Sequence, residues 1–276
     1  MKPTIAFIGI GNMAGSIIGG LIASGYPAKK ILGTSRTQAK RERFEQEYAM
    51  VTLADNREAV SKADVVVLCV KPAQMQEVIS VFADLVRDDQ VFISVAAGLE
   101  LSALTRWLGK DVSVVRCMPN TPSQLGAGVS GLIANAHTSE DQKEWVSGVF
   151  ESIGVSVWVE DESQMHAVTA LSGSSPAYFF QFLEAMIKTG KEQGLSEETC
   201  RRLAANAMLG AARMATELEQ PIDQLRKNIT SPKGTTEQAL LSFEASGIDN
   251  IVRTAMLACM DRSKEMAQLF SGNADS

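Results

Sequence analysis

The sequence predicts an α/β chain, with a doubly wound, mostly parallel sheet in the first half and an all-helical second half. Three observations carry that expectation. Short β-type runs alternate with segments of helical spacing over 4–159, the pattern of strands joined by crossover helices. The runs 64–70 and 90–95 are apolar on both faces, as central parallel strands must be. Beyond Val159 the strand-like runs stop and helical spacing takes over.

Taken in order, strands are expected at 4–8, 31–34, 65–70, 91–95 and 112–116, with added strands at 126–134 and 155–159. Helices are expected after the first strand through 17–22, at 38–48, at 73–85 and near 140–150. The acidic cluster Glu160-Asp161-Glu162 reads as a joint, which divides the chain into domains 1–160 and 161–276. In the second domain, Ser175-Pro176 starts a helix with a cap and a proline in its first turn, and Gly194 ends it. Ser196 caps an Ala-rich helix running to about Glu219, and Pro221 opens a short one. Thr235-x-x-Gln238 has the spacing of a capping box, and 248–270 forms the last helix. The polar tail 271–276 reads as disordered.

Composition narrows the function. The chain has 276 residues, 45% apolar and 21% charged, an ordinary globular balance. A net charge of -6 gives no reason to expect nucleic acid or an anionic membrane as partner. No apolar run reaches the length of a membrane span, and the N-terminal apolar run breaks on glycines without a convincing cleavage site. Four cysteines are scattered without a C-x-x-C pair, which suits reduced thiols in the cytoplasm. Two histidines, His137 and His166, are too few and too isolated for a metal site.

The chemistry starts at Gly9-x-Gly11-x-x-Ala14, between the first strand and the first helix. In that context Gly9 permits the tight turn, Gly11 lets backbone approach a diphosphate, and Ala14 allows close helix–strand packing. Asn12 and Met13 complete the loop, whose free N–H groups and helix dipole favour an anion. This is the mark of a Rossmann-type dinucleotide site. An NAD site usually has Asp or Glu at the end of the second strand. Here that end reads Gly33-Thr-Ser-Arg36, and no acidic residue occurs over 1–41. Ser35 and Arg36 can meet a 2'-phosphate instead, which favours NADP(H) over NAD(H). Lys40 either joins them or decorates a solvated face.

Other strand ends line up with this site. Val70-Lys71-Pro72 follows one strand and Ala96-Ala97-Gly98 the next, and ligands of such sheets lie over those edges. Asn120 sits between two prolines in a stiff extended segment, near the expected nicotinamide, although it also suits an ordinary turn. In the helical half, 171–178 and 230–240 are dense in small hydroxyls and glycine. A helix start preceded by glycine suits a carboxylate, and plain helix capping explains about half of these residues. The small apolar stripes of this half suit close helix packing between subunits, at least a dimer.

Together, FIGIGNMAGS, VKP, MPNTP, SGSSPAY and TSPKGTTEQAL, in that order, resemble the pyrroline-5-carboxylate reductases over nearly the whole chain. The resemblance implies reduction of the cyclic imine 1-pyrroline-5-carboxylate to L-proline by NAD(P)H, with helical domains interlocked between subunits. It also implies that Ser231, Lys233, Gly234, Thr235 and Thr236 hold the substrate carboxylate, with Thr236 donating to the ring nitrogen. Ser174 and Ser175, with Gly173, then form the other wall, and Asn56 and Lys71 join the cofactor site. Lys233 departs from the family, which usually has glycine there. Two further readings compete: a β-hydroxyacid dehydrogenase with Lys188 or Lys191 as base, and a non-catalytic NADP(H) sensor.

Overall fold

The computed structural model describes residues 2–271, with side chains through Phe270. Strand β1 (Ile5–Ile8) leads into α1 (Asn12–Ala23), β2 (Ile31–Thr34) into α2 (Gln38–Tyr48), and β3 (Val51–Leu53) into α3 (Asn56–Lys62). β4 (Val65–Leu68) precedes α4 (Met75–Ser80), and β5 (Val91–Ser94) precedes α5 (Leu101–Leu108). β6 (Ser113–Met118), β7 (Gly128–Ala134), α6 (Glu140–Glu151) and β8 (Gly154–Trp158) complete an eight-stranded sheet of order β3-β2-β1-β4-β5-β6-β7-β8. The β6–β7 pair is antiparallel and the other neighbours are parallel.

The doubly wound expectation is met by two core layers. Ile5, Phe7, Val65, Val67, Val91 and Ile93 face one way, against Ile17 and Ile18 of α1, Phe44 of α2 and Phe150 of α6. The alternate residues Ala6, Ile8, Val66, Leu68 and Phe92 face the other, against Val60 of α3, Ile79 of α4 and Leu104 of α5. Strand period two makes this division. Each such buried Val, Leu, Ile or Phe side chain contributes about 1.5–3 kcal/mol. The strand order reverses between β1 and β4, which opens a crevice above their carboxyl ends.

After Trp158 the elements are helical: α7 (Gln164–Val168), a π-helical turn (Thr169–Gly173), α8 (Ser175–Glu192), α9 (Glu197–Glu217), α10 (Ile222–Asn228), α11 (Thr235–Ala245) and α12 (Ile248–Ser271). The chain forms two compact units, one of Met1–Ser174 with Ala258–Ser276 and one of Ser175–Leu257. Within the second unit hardly any large side chain is buried. Cys200, Ala204 and Leu225 are, whereas Phe180, Leu203 and Leu209 are about 60% exposed. A soluble fold rarely leaves so much apolar surface uncovered.

Several local expectations are corrected. The helix expected at 73–85 is α4 alone, flanked by 3-10 turns at Pro72–Gln74 and Ala83–Leu85. β3, α3 and α5 were not anticipated; β3 is a three-residue edge strand, too short to show an alternation. Asp55 caps α3 by accepting from the Arg57 amide at 2.9 Å. Ser175 is no cap, because the chain enters α8 directly from the π-helical turn, with Ser174 already in helical backbone. The Thr235–Gln238 capping box is absent as well. Gly234 is the N-cap of α11, no side chain caps it, and Thr235 is its first helical residue. Ser196 does cap α9, through the Thr199 amide at 3.2 Å, and Gly194 takes φ +91° just beyond α8. Of the polar tail, only Ser271 falls within the described residues, as the end of α12.

Candidate active site

The turn from β1 into α1 has the backbone that its glycines allow. Gly9 lies at φ +89°, and a Cβ there would stand 2.8 Å from Val70 Cγ1. The Gly9 amide donates to Thr34 Oγ1 at 3.1 Å, and the Ile10 amide donates to the Thr34 carbonyl at 2.9 Å. These bonds fasten the loop to the end of β2. Gly11 is the N-cap of α1, carries no side chain to cap it, and would point a Cβ into open space. The first-turn amides of α1 have no intrahelical acceptor, and no acidic residue stands in that turn. The loop therefore offers donors, a positive helix end and room for backbone-close contact, which is what a diphosphate requires.

A cleft of about 430 Å³ opens over this loop. Its lining brings together Gly9, Gly11, Ser35, Arg36, Asn56, Val70 and Lys71, together with Lys40. The end of β2 carries a hydroxyl and a guanidinium where it borders the cleft. Ser35 Oγ accepts from the Thr37 amide at 3.2 Å, so its proton is free to point outward, and Arg41 Nη1 donates to the Ser35 carbonyl at 2.7 Å. The acidic side chain in the lining, Glu77, comes from α4 and not from β2. Arg36, Lys40 and Lys71 thus line the cleft with no carboxylate from β2 beside them. Cys69 also lines the cleft, but burial pushes its thiol up to about 12, so it presents no thiolate.

The remaining candidate cofactor residues lie outside that lining. Ala14 is buried and Met13 packs on the core, supporting the loop from below. Asn12 borders a separate groove of about 590 Å³ along the glycine face of α1, next to Tyr48 and Ser123. Pro72 starts the 3-10 turn after Lys71. Ala96, Ala97 and Gly98 form the bend after β5; Gly98 has φ +74° and lies against Met266 of α12. Asn120 is buried, and its amide is a brace: Nδ2 donates to the Ser172 carbonyl at 3.0 Å, and Oδ1 accepts from the Val129 amide at 2.9 Å.

Of the candidate substrate residues, Ser174 Oγ accepts from Cys259 Sγ at 3.4 Å, and Ser175 begins α8. The others belong to the second unit. Ser231 to Gly234 form the expected turn, closed by the Gly234 amide donating to the Ser231 carbonyl at 3.0 Å. Lys233 occupies its third position at φ +57°, the place where a turn of this kind favours glycine. The Lys233 amide donates to Glu237 at 2.8 Å. Thr235 and Thr236 stand in the first turn of α11 behind the uncapped Gly234, so amides and hydroxyls are gathered at one helix start. Lys191, weighed as a base, is bound to Glu197 at 2.6 Å on an exposed face, and Lys188 is also exposed.

Sequence reasoning missed three participants. Arg41 orients Ser35, Thr34 anchors the glycine loop, and Glu162 is not a solvated linker residue. Its carboxylate is paired with Arg116, a nearly buried side chain on β6. A run of three acids has no feature that singles out the one facing inward. Among the described residues, no three metal-ligating side chains converge, and no helix is long and apolar enough to cross a membrane.

Comparison with known proteins decides the family. The pyrroline-5-carboxylate reductase dimerisation family matches residues 162–266, and the NADP oxidoreductase, coenzyme F420-dependent family matches 4–98. The pyrroline-5-carboxylate reductase of Pseudomonas aeruginosa is 46% identical over 96% of this chain and 97% of its own. The chain belongs to the pyrroline-5-carboxylate reductase family. Structures agree: that of a pyrroline-5-carboxylate reductase from Coxiella burnetii has a TM-score of 0.93 at 41% identity, covering 97% of this chain and 99% of its own. The Plasmodium falciparum enzyme with NADP bound has a TM-score of 0.85 at 27% identity, covering 96% and 98%. The family's dimerisation domain takes in the helices whose apolar side chains are exposed.

Proposed function

We propose that this chain reduces 1-pyrroline-5-carboxylate to L-proline, the last step of proline synthesis, with NADPH preferred to NADH, as a cytoplasmic homo-oligomer. The observation that carries the reading is the cleft over the glycine loop, with Ser35 and Arg36 where an NAD site would hold an acid, in a chain that matches reductases of this name along nearly its whole length.

Bound in that cleft, NADPH supplies the hydride. The chain's own residues bind, orient and hold protons. Gly9 and Gly11 admit the diphosphate, with Asn12, Met13 and Ala14 forming the helix start. Ser35 and Arg36 take the 2'-phosphate, while Asn56, Val70, Lys71 and Pro72 border the ribose side. The bend Ala96-Ala97-Gly98 and the segment braced by Asn120 form the nicotinamide wall. For the substrate, Ser231, Lys233, Gly234 and Thr235 receive the carboxylate at the uncapped start of α11. Thr236 donates its hydroxyl hydrogen bond to the lone pair that the ring nitrogen gains as hydride reaches the carbon, and Ser174 and Ser175 shape the wall. A protonated imine is already electrophilic, so orientation supplies most of what the reaction needs. The four free cysteines agree with a reducing compartment, and the exposed apolar helices with a partner subunit.

The test is consumption of NADPH by the purified protein. It should occur with pyrroline-5-carboxylate, with proline as product, and more slowly with NADH at equal concentration. Turnover confined to small hydroxy- or keto-acids would instead favour the β-hydroxyacid dehydrogenase reading, and binding without turnover a sensor.

A further inference from the structure

We infer that Glu162 is a positioning residue for the nicotinamide end of the cofactor site, acting through Arg116 and the first amide of α5. The inference rests on the reductase reading for its account of what the loops hold. One carboxylate oxygen, Glu162 Oε1, accepts from two places. Arg116 Nη1 donates to it at 2.5 Å, and the Leu101 amide donates to it at 2.7 Å. Arg116 lies on β6, two residues before Met118-Pro119-Asn120, and its side chain is only 7% exposed. Leu101 opens α5 directly after the bend Val95 to Leu99. A single atom therefore ties the loop after β5 to the strand end of β6.

The same segment of chain is fixed a second time downstream. Asn120 Nδ2 holds the Ser172 carbonyl of the π-helical turn, and Gly173 is packed so closely on Met118 that a Cβ there would stand 2.5 Å from Met118 Cε. Glu162, ahead of α7, and Ser172, within the π-helical turn, are thus both pinned to β6 or the segment that follows it. The two tethered loops carry Ala96, Ala97, Gly98 and Asn120. None of these borders the adenosine side of the cleft, which is lined by Ser35, Arg36 and Asn56. The tether should then govern one half of the dinucleotide and leave the other alone. A salt bridge serving stability alone has no reason to make that distinction.

The charge matters as well as the hydrogen bonds. Arg116 is nearly buried while Glu162 is 30% exposed; removing the carboxylate leaves the guanidinium uncompensated and lets it seek water, which would displace the loop that follows β6. Glu162→Gln keeps an acceptor at the same place but leaves Arg116 charged; Glu162→Asp keeps the charge but is one methylene too short to reach both donors.

The test measures binding and turnover separately in Glu162→Gln and Glu162→Asp. The first readout is the dissociation constant of NADPH set against that of 2',5'-ADP, which fills only the adenosine half. The second is kcat with pyrroline-5-carboxylate and the isotope effect from NADPH deuterated at the transferred position. NADPH binding should weaken roughly tenfold while 2',5'-ADP binding stays within error. kcat should fall on the order of 10- to 100-fold, the loss expected for a misplaced reacting pair, with a larger isotope effect. The double variant Arg116→Gln/Glu162→Gln, which removes the uncompensated charge, should recover part of the NADPH affinity. If the single variants lower only the melting temperature, or weaken both ligands equally, the inference is overturned. An inactive wild type would overturn the reductase reading and leave the comparison of the two ligands to decide the tether.

Discussion

In the proposed reaction Thr236 brings one hydroxyl to an electrophile that needs little activation. A hydrogen bond to a charged group is worth roughly 1.5–3 kcal/mol, so Thr236→Ala should slow turnover roughly 10- to 100-fold without abolishing it. Steady-state kinetics with circular dichroism as a check on folding measures this; a loss several orders larger in a folded variant would make the threonine an obligatory acid. His166 gives a prediction of another kind. Its Nδ1 lies 2.9 Å from Ser263 Oγ, and burial lowers its pKa first, helped by Arg116 and Lys264 and opposed by Glu100 and Glu162. The unfolded chain therefore takes up this proton more readily than the folded one. Stability from this group is present above about pH 6.5, the ordinary histidine value, and is lost as pH falls from there through the lowered folded value. His166→Gln should flatten the acid side of the stability profile, read as the denaturant midpoint between about pH 7.5 and 5.5; an unchanged slope would contradict it. Lys233 shows how an unusual turn residue becomes intelligible only with backbone angles. The sequence reveals a lysine in a turn, whereas φ +57° reveals that this place favours glycine.

At the scale of elements, what was legible followed the range of the signal. Ser196 is a helix start written in four residues, and it caps α9 as expected. Ser196→Ala should cost about 1 kcal/mol of unfolding free energy, measurable by urea titration, with little effect on kcat. The glycine loop was equally legible, because a strand, a turn and a helix in sequence leave few other meanings for Gly9 and Gly11. Thr235–Gln238 had the spacing of a capping box and did not form one, since Gly234 ahead of it took the cap position with extended backbone. The π-helical turn before Ser175 was not legible at all. Within it the Ser172 carbonyl accepts from Asn120, a contact that no local pattern announces. Asn120 itself was suspected for its place beside the cofactor; both ends of its amide turn out to brace the fold.

At the scale of the whole molecule, the exposed side chains of the helical unit set an expectation for assembly. Phe180, Leu203, Leu209 and Ile222 cannot all face water at no cost. Their burial by a second copy should make the melting temperature rise with protein concentration. Thermal scans over a hundredfold dilution series test this, and a melting temperature independent of concentration, with monomer on gel filtration, would sink it. The sequence by itself determined the alternation of strands and helices, the glycine loop, the absence of an acid after β2 and the hydroxyl-rich start of α11. Each of those is written within one strand or one or two helical turns, where period and residue type suffice. Tertiary structure alone decided that Glu162 belongs to Arg116, 46 residues away, that Arg41 steadies Ser35, and that the Asn120 amide braces Ser172 and Val129. Partners at such separations are chosen by packing, and a pattern confined to neighbours along the chain has no means of encoding which of three adjacent acids will face the core.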